Sequence, residues 1–176
     1  MADTNKQIQL ARQPDGEPKV SDFQVAETDI PTAGPGEFLA RNIYLSLDPY
    51  MRGAISGRHM GHNRLNQGDL IGGRCVAQVV ESKHADYAEG DYIVIESGWQ
   101  KFVVSHGGAK DQVRKLDPNG GPLSAALGVL GMPGLTAWAG VERLASPGLG
   151  DTFVVTAAAG PVGGTAQDVF PVPVYS

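Results

Sequence analysis

Cysteine is nearly missing from this chain: Cys75 is the only one in 176 residues. A single thiol excludes an internal disulfide and leaves too few thiolates for a structural zinc site built on cysteines. Basic residues are also scarce, 14 against 19 acidic ones, for a formal charge of -5. That balance argues against the clustered Lys and Arg on which binding to a nucleic-acid backbone rests. No apolar run is long enough to span a bilayer, and Met1-Ala2-Asp3-Thr4-Asn5-Lys6 has no apolar region of the signal-peptide kind. The expectation is a cytoplasmic protein with neither nucleic acid nor membrane as partner. Glycine and proline, by contrast, are plentiful, 24 and 12. Turns at that frequency suit short strands better than long helices.

Taken in order, the chain reads as short strands separated by turns. Ile8 and Leu10 alternate with polar residues, then Pro14-Asp15-Gly16-Glu17-Pro18 turns the chain; Phe23 and Val25 repeat the alternation up to the turn Ile30 to Gly36. A longer strand pattern runs from Glu37 to Leu47, and Pro49 is expected to end its ladder and open a loop. Ser56 to Gly68 has little periodicity and reads as an exposed loop. Arg74 to Glu81, Tyr92 to Glu96 and Phe102 to Val104 are β-branched or apolar runs, the first two expected side by side in one antiparallel sheet. Six or so such strands point to a compact antiparallel barrel. After Gly121-Pro122 the spacing becomes helical, through Leu123, Ala126, Leu127 and Leu130. Pro133 then opens a second helix whose Leu135, Trp138, Val141 and Leu144 share one face, ended by Ser146-Pro147-Gly148.

The next stretch, Phe153-Val154-Val155-Thr156-Ala157-Ala158-Ala159-Gly160-Pro161-Val162-Gly163-Gly164, is an apolar run that breaks into glycines. It reads as a buried strand of a parallel sheet feeding a phosphate-binding loop. A helix aimed at the phosphate should follow, but Pro171 and Pro173 stand close behind and are expected to deny it donors and geometry.

Four segments, Tyr44 to Gly53, Ser97-Gly98-Trp99-Gln100, Gly128 to Trp138 and Ala157 to Gly163, together resemble the zinc-independent medium-chain dehydrogenase/reductases. Within that superfamily the chain is similar to the NADPH-dependent curcumin, prostaglandin-leukotriene and alkenal double-bond reductases. The resemblance implies a mainly β fold with short helices: a GroES-like barrel over 1–121 and connecting helices over 122–147. Residues 148–164 would be the first strand and glycine loop of an incomplete Rossmann domain, and 165–176 a divergent tail. A doubly wound nucleotide domain needs on the order of 100 residues or more, so a C-terminally truncated chain is expected, inactive by itself.

The same resemblance implies hydride transfer from NADPH to the β-carbon of an α,β-unsaturated ketone or aldehyde, a small-molecule substrate. It puts Tyr50 at the substrate cleft as hydrogen-bond donor to the developing enolate. Met132 and Thr136 fall at the nicotinamide end of the cofactor, and Gly160, Pro161, Val162 and Gly163 at its diphosphate. Each has a plainer reading: Tyr50 as a packing residue, Met132 as core filler, Thr136 bonded back within its helix, the glycines as a simple strand-to-helix turn. No zinc is expected, since Asp48 stands where zinc-dependent relatives carry a Cys and Gly72-Gly73-Arg74-Cys75 replaces their Gly-His-Glu. His59 and His62 are spaced as a pair but read as solvated, and His84 and His106 as exposed. The rival from another class is a non-catalytic module forming a homodimer through an uncovered barrel edge, with Phe153 to Thr156 and Val169 to Tyr175 as contacts.

Overall fold

The structure, a computed structural model, describes residues 3–57, 64–148 and 150–169. They divide into two compact units, Met1–Gly120 and Gly121–Ser176.

The first unit is antiparallel β structure. Strand β1 (Asn5–Leu10) pairs with β2 (Phe23–Thr28) as a two-stranded sheet. The second sheet runs β6-β3-β4-β5-β7, from β3 (Phe38–Leu45), β4 (Arg74–Ser82), β5 (Tyr92–Glu96), β6 (Phe102–Ser105) and β7 (Arg114–Leu116). The expected β4–β5 neighbourhood holds, in antiparallel register with Cys75 opposite Ile95 and Ala77 opposite Ile93. The short β7 carries no sequence signal of its own: Arg114, Lys115 and Leu116 lie at an edge where charge is tolerated. One face of the sheet buries Phe38, Ala40, Cys75, Ala77, Val79, Ile93 and Ile95. A second cluster, Leu10, Ile55 and Ile71, packs with Trp99, whose ring stacks on Phe23 at 6.2 Å.

Side chains stitch the sheets where the ladders stop. Asn5 is buried and imitates a strand neighbour, accepting from the Phe102 N–H at 2.9 Å and donating to the Phe102 carbonyl at 3.1 Å. Asn42 accepts from Ser97 Oγ at 2.9 Å and donates to the Gln100 carbonyl at 2.7 Å. Between them Gly98 adopts φ +75, and a Cβ there would stand 2.8 Å from the Ile71 carbonyl oxygen. Only glycine fits the Ser97-Gly98-Trp99 corner.

Pro49 opens a short helix rather than a loop: α1 (Tyr50–Ile55) starts directly after it. Proline's fixed φ suits a helix entrance, where its missing N–H is not needed. Of the expected loop 56–68, residues 58–63, with His59 and His62, lie outside the described residues. His84 is half-buried rather than exposed: its ring meets Tyr87 at 4.9 Å and Phe38 at 6.1 Å.

In the second unit, Leu123–Leu127 forms a 3-10 turn. Helix α2 (Met132–Trp138) continues as a π-wound stretch, Ala139–Ala145, and stops at Ser146 in the left-handed region. The predicted apolar face is not the buried one. Leu135, Trp138 and Leu144 are exposed, while Pro133, Gly134, Ala137 and Val141 are buried. Three-residue steps drift around a helix, and the change of winding after Trp138 moves the stripe again. Ala137 and Val141 pack with Ala166 of α3 (Pro161–Val169), with Phe153, Val155 and Val169 around them.

Two expectations about the glycine-rich stretch need correction. Residues 151–155 join no strand ladder among the described residues, and Val154 is 79% exposed. A parallel strand takes its hydrogen bonds from neighbours on the sheet, and among the described residues none stands beside this one. The helix, in contrast, forms. Pro161 occupies its first position, where proline is favoured, and the helix runs to Val169; Pro171 and Pro173 lie outside the described residues.

Candidate functional site

Each unit carries part of the residue set that the sequence singles out. In the first, β3 ends at Leu45, Ser46 Oγ donates to Asp48 Oδ1 at 3.0 Å, and the Asp48 carbonyl and Pro49 start α1. This turn presents Tyr50, which is 46% exposed and so is not a core-packing residue. Its hydroxyl donates to Glu96 Oε1 at 3.4 Å. Burial foremost, then the charges of Glu96 and Asp48, push the phenol up to about 12. The side chain is therefore an un-ionised donor across the neutral range. Ile43, Tyr44, Leu45 and Leu47 add exposed apolar surface from the end of β3 and the turn.

Glu96 and Arg74 were not among the residues expected at this site. Arg74 Nε lies 3.4 Å from Glu96 Oε2, and the β4–β5 register sets the two residues opposite each other. No motif marks them. Glu96 only closes the apolar run of β5, and the pairing that brings it to Arg74 is a matter of register.

Cys75, next to Arg74 in sequence, belongs to the core, 1% exposed, with its thiol donating to the Gly98 carbonyl at 3.5 Å. Burial pushes it up to about 11, so it is a neutral and unreactive thiol rather than a thiolate ligand. Among the described residues no three His, Cys, Asp or Glu side chains cluster as metal ligands, and no helix is long and apolar enough to cross a membrane.

The second unit holds the other residues. Met132, at the start of α2, is 59% exposed and so does not fill the core. Thr136 Oγ1 donates to the Met132 carbonyl one turn back, at 2.8 Å, which leaves its lone pairs as acceptors. At the glycine-rich turn Ala157 takes φ 54, a conformation uncommon for a residue with a Cβ. The chain then closes tightly: Gly160 N–H donates to the Ala157 carbonyl at 2.9 Å, and a Cβ at Gly163 would stand 2.5 Å from the same oxygen. Pro161 has no N–H, so the amides of Val162 and Gly163 are the first-turn donors that a diphosphate would take at this nine-residue helix. The residues fit a dinucleotide's phosphates. Gly160 carries no side chain where the turn opens the helix, and Gly163, buried against the Ala157 backbone, supplies the close packing of turn on helix that such a loop requires.

Residues 6–113 match the protein-family model described as the N-terminal domain of oxidoreductase. The chain belongs to that family. The four sequence motifs agree in placing it in the medium-chain dehydrogenase/reductase family, and its mainly β, antiparallel fold is that of its structural neighbours. The chain is 42% identical over 165 residues to the NADPH-dependent curcumin reductase of Escherichia coli (strain K12), covering 94% of this chain and 47% of that one. It is 38% identical over 154 residues to prostaglandin reductase 1 of Oryctolagus cuniculus, covering 88% and 42%. The structure of CurA in complex with NADPH from Vibrio vulnificus superposes with a TM-score of 0.83 at 40% identity, covering 92% of this chain and 47% of CurA. The chain thus spans about half the length of the relatives it matches.

Proposed function

We propose that this chain contributes the substrate-side domain, and the opening of the nucleotide-binding domain, to an NADPH-dependent reductase that saturates the C=C bond of α,β-unsaturated ketones or aldehydes. The observation that carries this reading is 42% identity, over 94% of the chain, to a relative named NADPH-dependent curcumin reductase. On this reading residues 1–121 form the substrate side, 122–147 connect, and the nucleotide-binding part starts at 148. The protein works in the cytoplasm and without zinc.

The chemistry assigned to the chain's own residues is electrostatic. NADPH, when bound, supplies the hydride that adds to the β-carbon of the enone. As that bond forms, the C=C electron pair moves toward the carbonyl and negative charge gathers on its oxygen. Tyr50 donates a hydrogen bond to that oxygen and, being un-ionised up to about 12, keeps its proton there throughout the neutral range. A proton taken from solvent at the α-carbon completes the saturated product. Val162 and Gly163 would hold the diphosphate through their amides, with Gly160 and Pro161 shaping the turn, and Met132 and Thr136 would serve the nicotinamide end.

A chimera tests the reading directly. The 165 matching residues of the Escherichia coli curcumin reductase are replaced with those of this chain, and NADPH oxidation is followed with an enone substrate. Enone-dependent oxidation is expected; a folded chimera that binds NADPH and leaves the enone intact would refute the proposal.

A second reading, self-association as a non-catalytic module, draws support from the exposure of Leu144 and Val154. Sedimentation of the purified chain separates the two. A concentration-dependent dimer favours self-association, and a monomer across the micromolar range removes it.

A further inference from the structure

We propose that Glu96 is a positioning residue for Tyr50, holding its hydroxyl as an aimed donor, and that Arg74 sets the strength of that hold. The inference rests on the reading of Tyr50 as donor to the enolate oxygen.

The geometry is that of a carboxylate shared between two partners. Glu96 Oε1 accepts from the Tyr50 hydroxyl and Glu96 Oε2 faces Arg74 Nε, each at 3.4 Å. The Glu96 and Arg74 side chains are 29% and 28% exposed, so the pair lies partly out of bulk water, where charges act on one another more strongly than at a free surface. The positions are fixed from three directions. Arg74 and Glu96 are a cross-strand pair on β4 and β5, Arg74 also donates to Gln112, and the Arg74 carbonyl holds the Ser46 N–H of the turn that leads into α1. The charged groups that act on the phenol are therefore Glu96 from β5, Asp48 from the turn and Arg74 from β4.

This arrangement solves a problem of proton count. A phenol has one proton to donate. Before substrate arrives that proton points at Glu96, so the ring has a fixed aim and a reason to stay protonated. When a carbonyl oxygen takes the hydrogen bond instead, Glu96 loses a partner, and a half-buried carboxylate left alone is costly. Arg74 is already in place as its remaining partner. Tyr50 can therefore turn from Glu96 to the substrate without orphaning a charge.

The test needs neither substrate nor cofactor. 3-Fluorotyrosine is placed at position 50 of the 176-residue chain, and its ionisation is followed by fluorine NMR against pH. Glu96→Gln removes the negative neighbour and is expected to lower the midpoint by about half a unit or more. Arg74→Met leaves the Glu96 charge unopposed and is expected to raise it, and Glu96→Asp is expected to restore most of the parent value. Circular dichroism checks the fold of each variant; if Glu96→Gln does not fold, a raised midpoint in Arg74→Met together with a near-parent midpoint in Glu96→Asp is required instead. Any other pattern overturns the proposal. Because the titration reads the phenol itself, its failure is distinct from failure of the enone-reductase reading, which depends on turnover.

Discussion

In the unit Met1–Gly120 the apolar side chains of Phe38, Ala40, Ile93 and Ile95 are fully buried, whereas in Gly121–Ser176 Leu135, Leu144 and Val154 are 60%, 84% and 79% exposed. Both segments carry apolar runs of similar quality, so composition does not make the difference. The antiparallel unit finds its partners within its own sequence: β3 pairs with β4 and β6, and β4 with β5, all inside the first unit. Phe153 to Thr156 has the composition of a buried parallel strand, and a parallel strand takes its partners only across crossovers. The lesson is that an apolar run states a need for partners, and topology decides whether they are at hand.

The largest expected break in this contrast is Phe38→Ala. Removing a fully buried aromatic ring should cost the first unit about 3–5 kcal/mol, while Leu135→Ala in the second unit should stay within about 0.5 kcal/mol. Urea denaturation separates the two, because Trp99 reports on the first unit and Trp138 on the second. Near-equal losses would erase the contrast. Next comes Gly134→Ala, whose new methyl would stand 1.8 Å from the Val129 carbonyl oxygen. Overpacking against backbone costs about 1–3 kcal/mol or more, and the loss should show in the Trp138 transition alone. Asn5→Ala should cost the first unit about 1–3 kcal/mol by leaving the Phe102 N–H and carbonyl without their buried partner; a shift in the Trp99 transition measures it.

The smallest expected effect is a pH dependence. Asp22 accepts from the Lys19 N–H at 2.8 Å and from Arg12 Nε at 2.6 Å, and these bonds, the backbone one first, hold its carboxyl below the usual carboxylate range. The unfolded chain takes up the proton first, so this contribution is complete above the ordinary value of about 4 and is lost as pH falls through the lower folded value. Asp22→Asn should flatten the acid limb of the stability curve below about pH 4 in the Trp99 transition. An unchanged limb would remove Asp22 from the account.

Much of the barrel was legible in the residues. Glycine and proline mark the turns, and β-branched runs mark β4 and β5, because antiparallel pairing is a local decision. Tyr50 could be found only through the Asp48-Pro49-Tyr50 motif, since a tyrosine after a proline carries no mechanism by itself. Glu96 and Arg74 were illegible because their meeting depends on register across β4 and β5. The face of α2 was misread for a physical reason: residues 139–145 wind as a π-helix, and a hydrophobic pattern counted at three-residue steps cannot anticipate that. Proline misled at the glycine-rich turn, where Pro161 starts α3 and the later prolines come after it.

The most direct test of the account is the turnover number of Tyr50→Phe in the chimera described above, measured at saturating NADPH. Loss of one donor to a developing oxyanion predicts a fall in kcat of about 10²-fold, with NADPH affinity unchanged because the donor acts on the substrate's oxygen and not on the dinucleotide. A Tyr50→Phe chimera that reduces the enone at the parent rate would contradict the claim that this barrel brings the donor to the carbonyl.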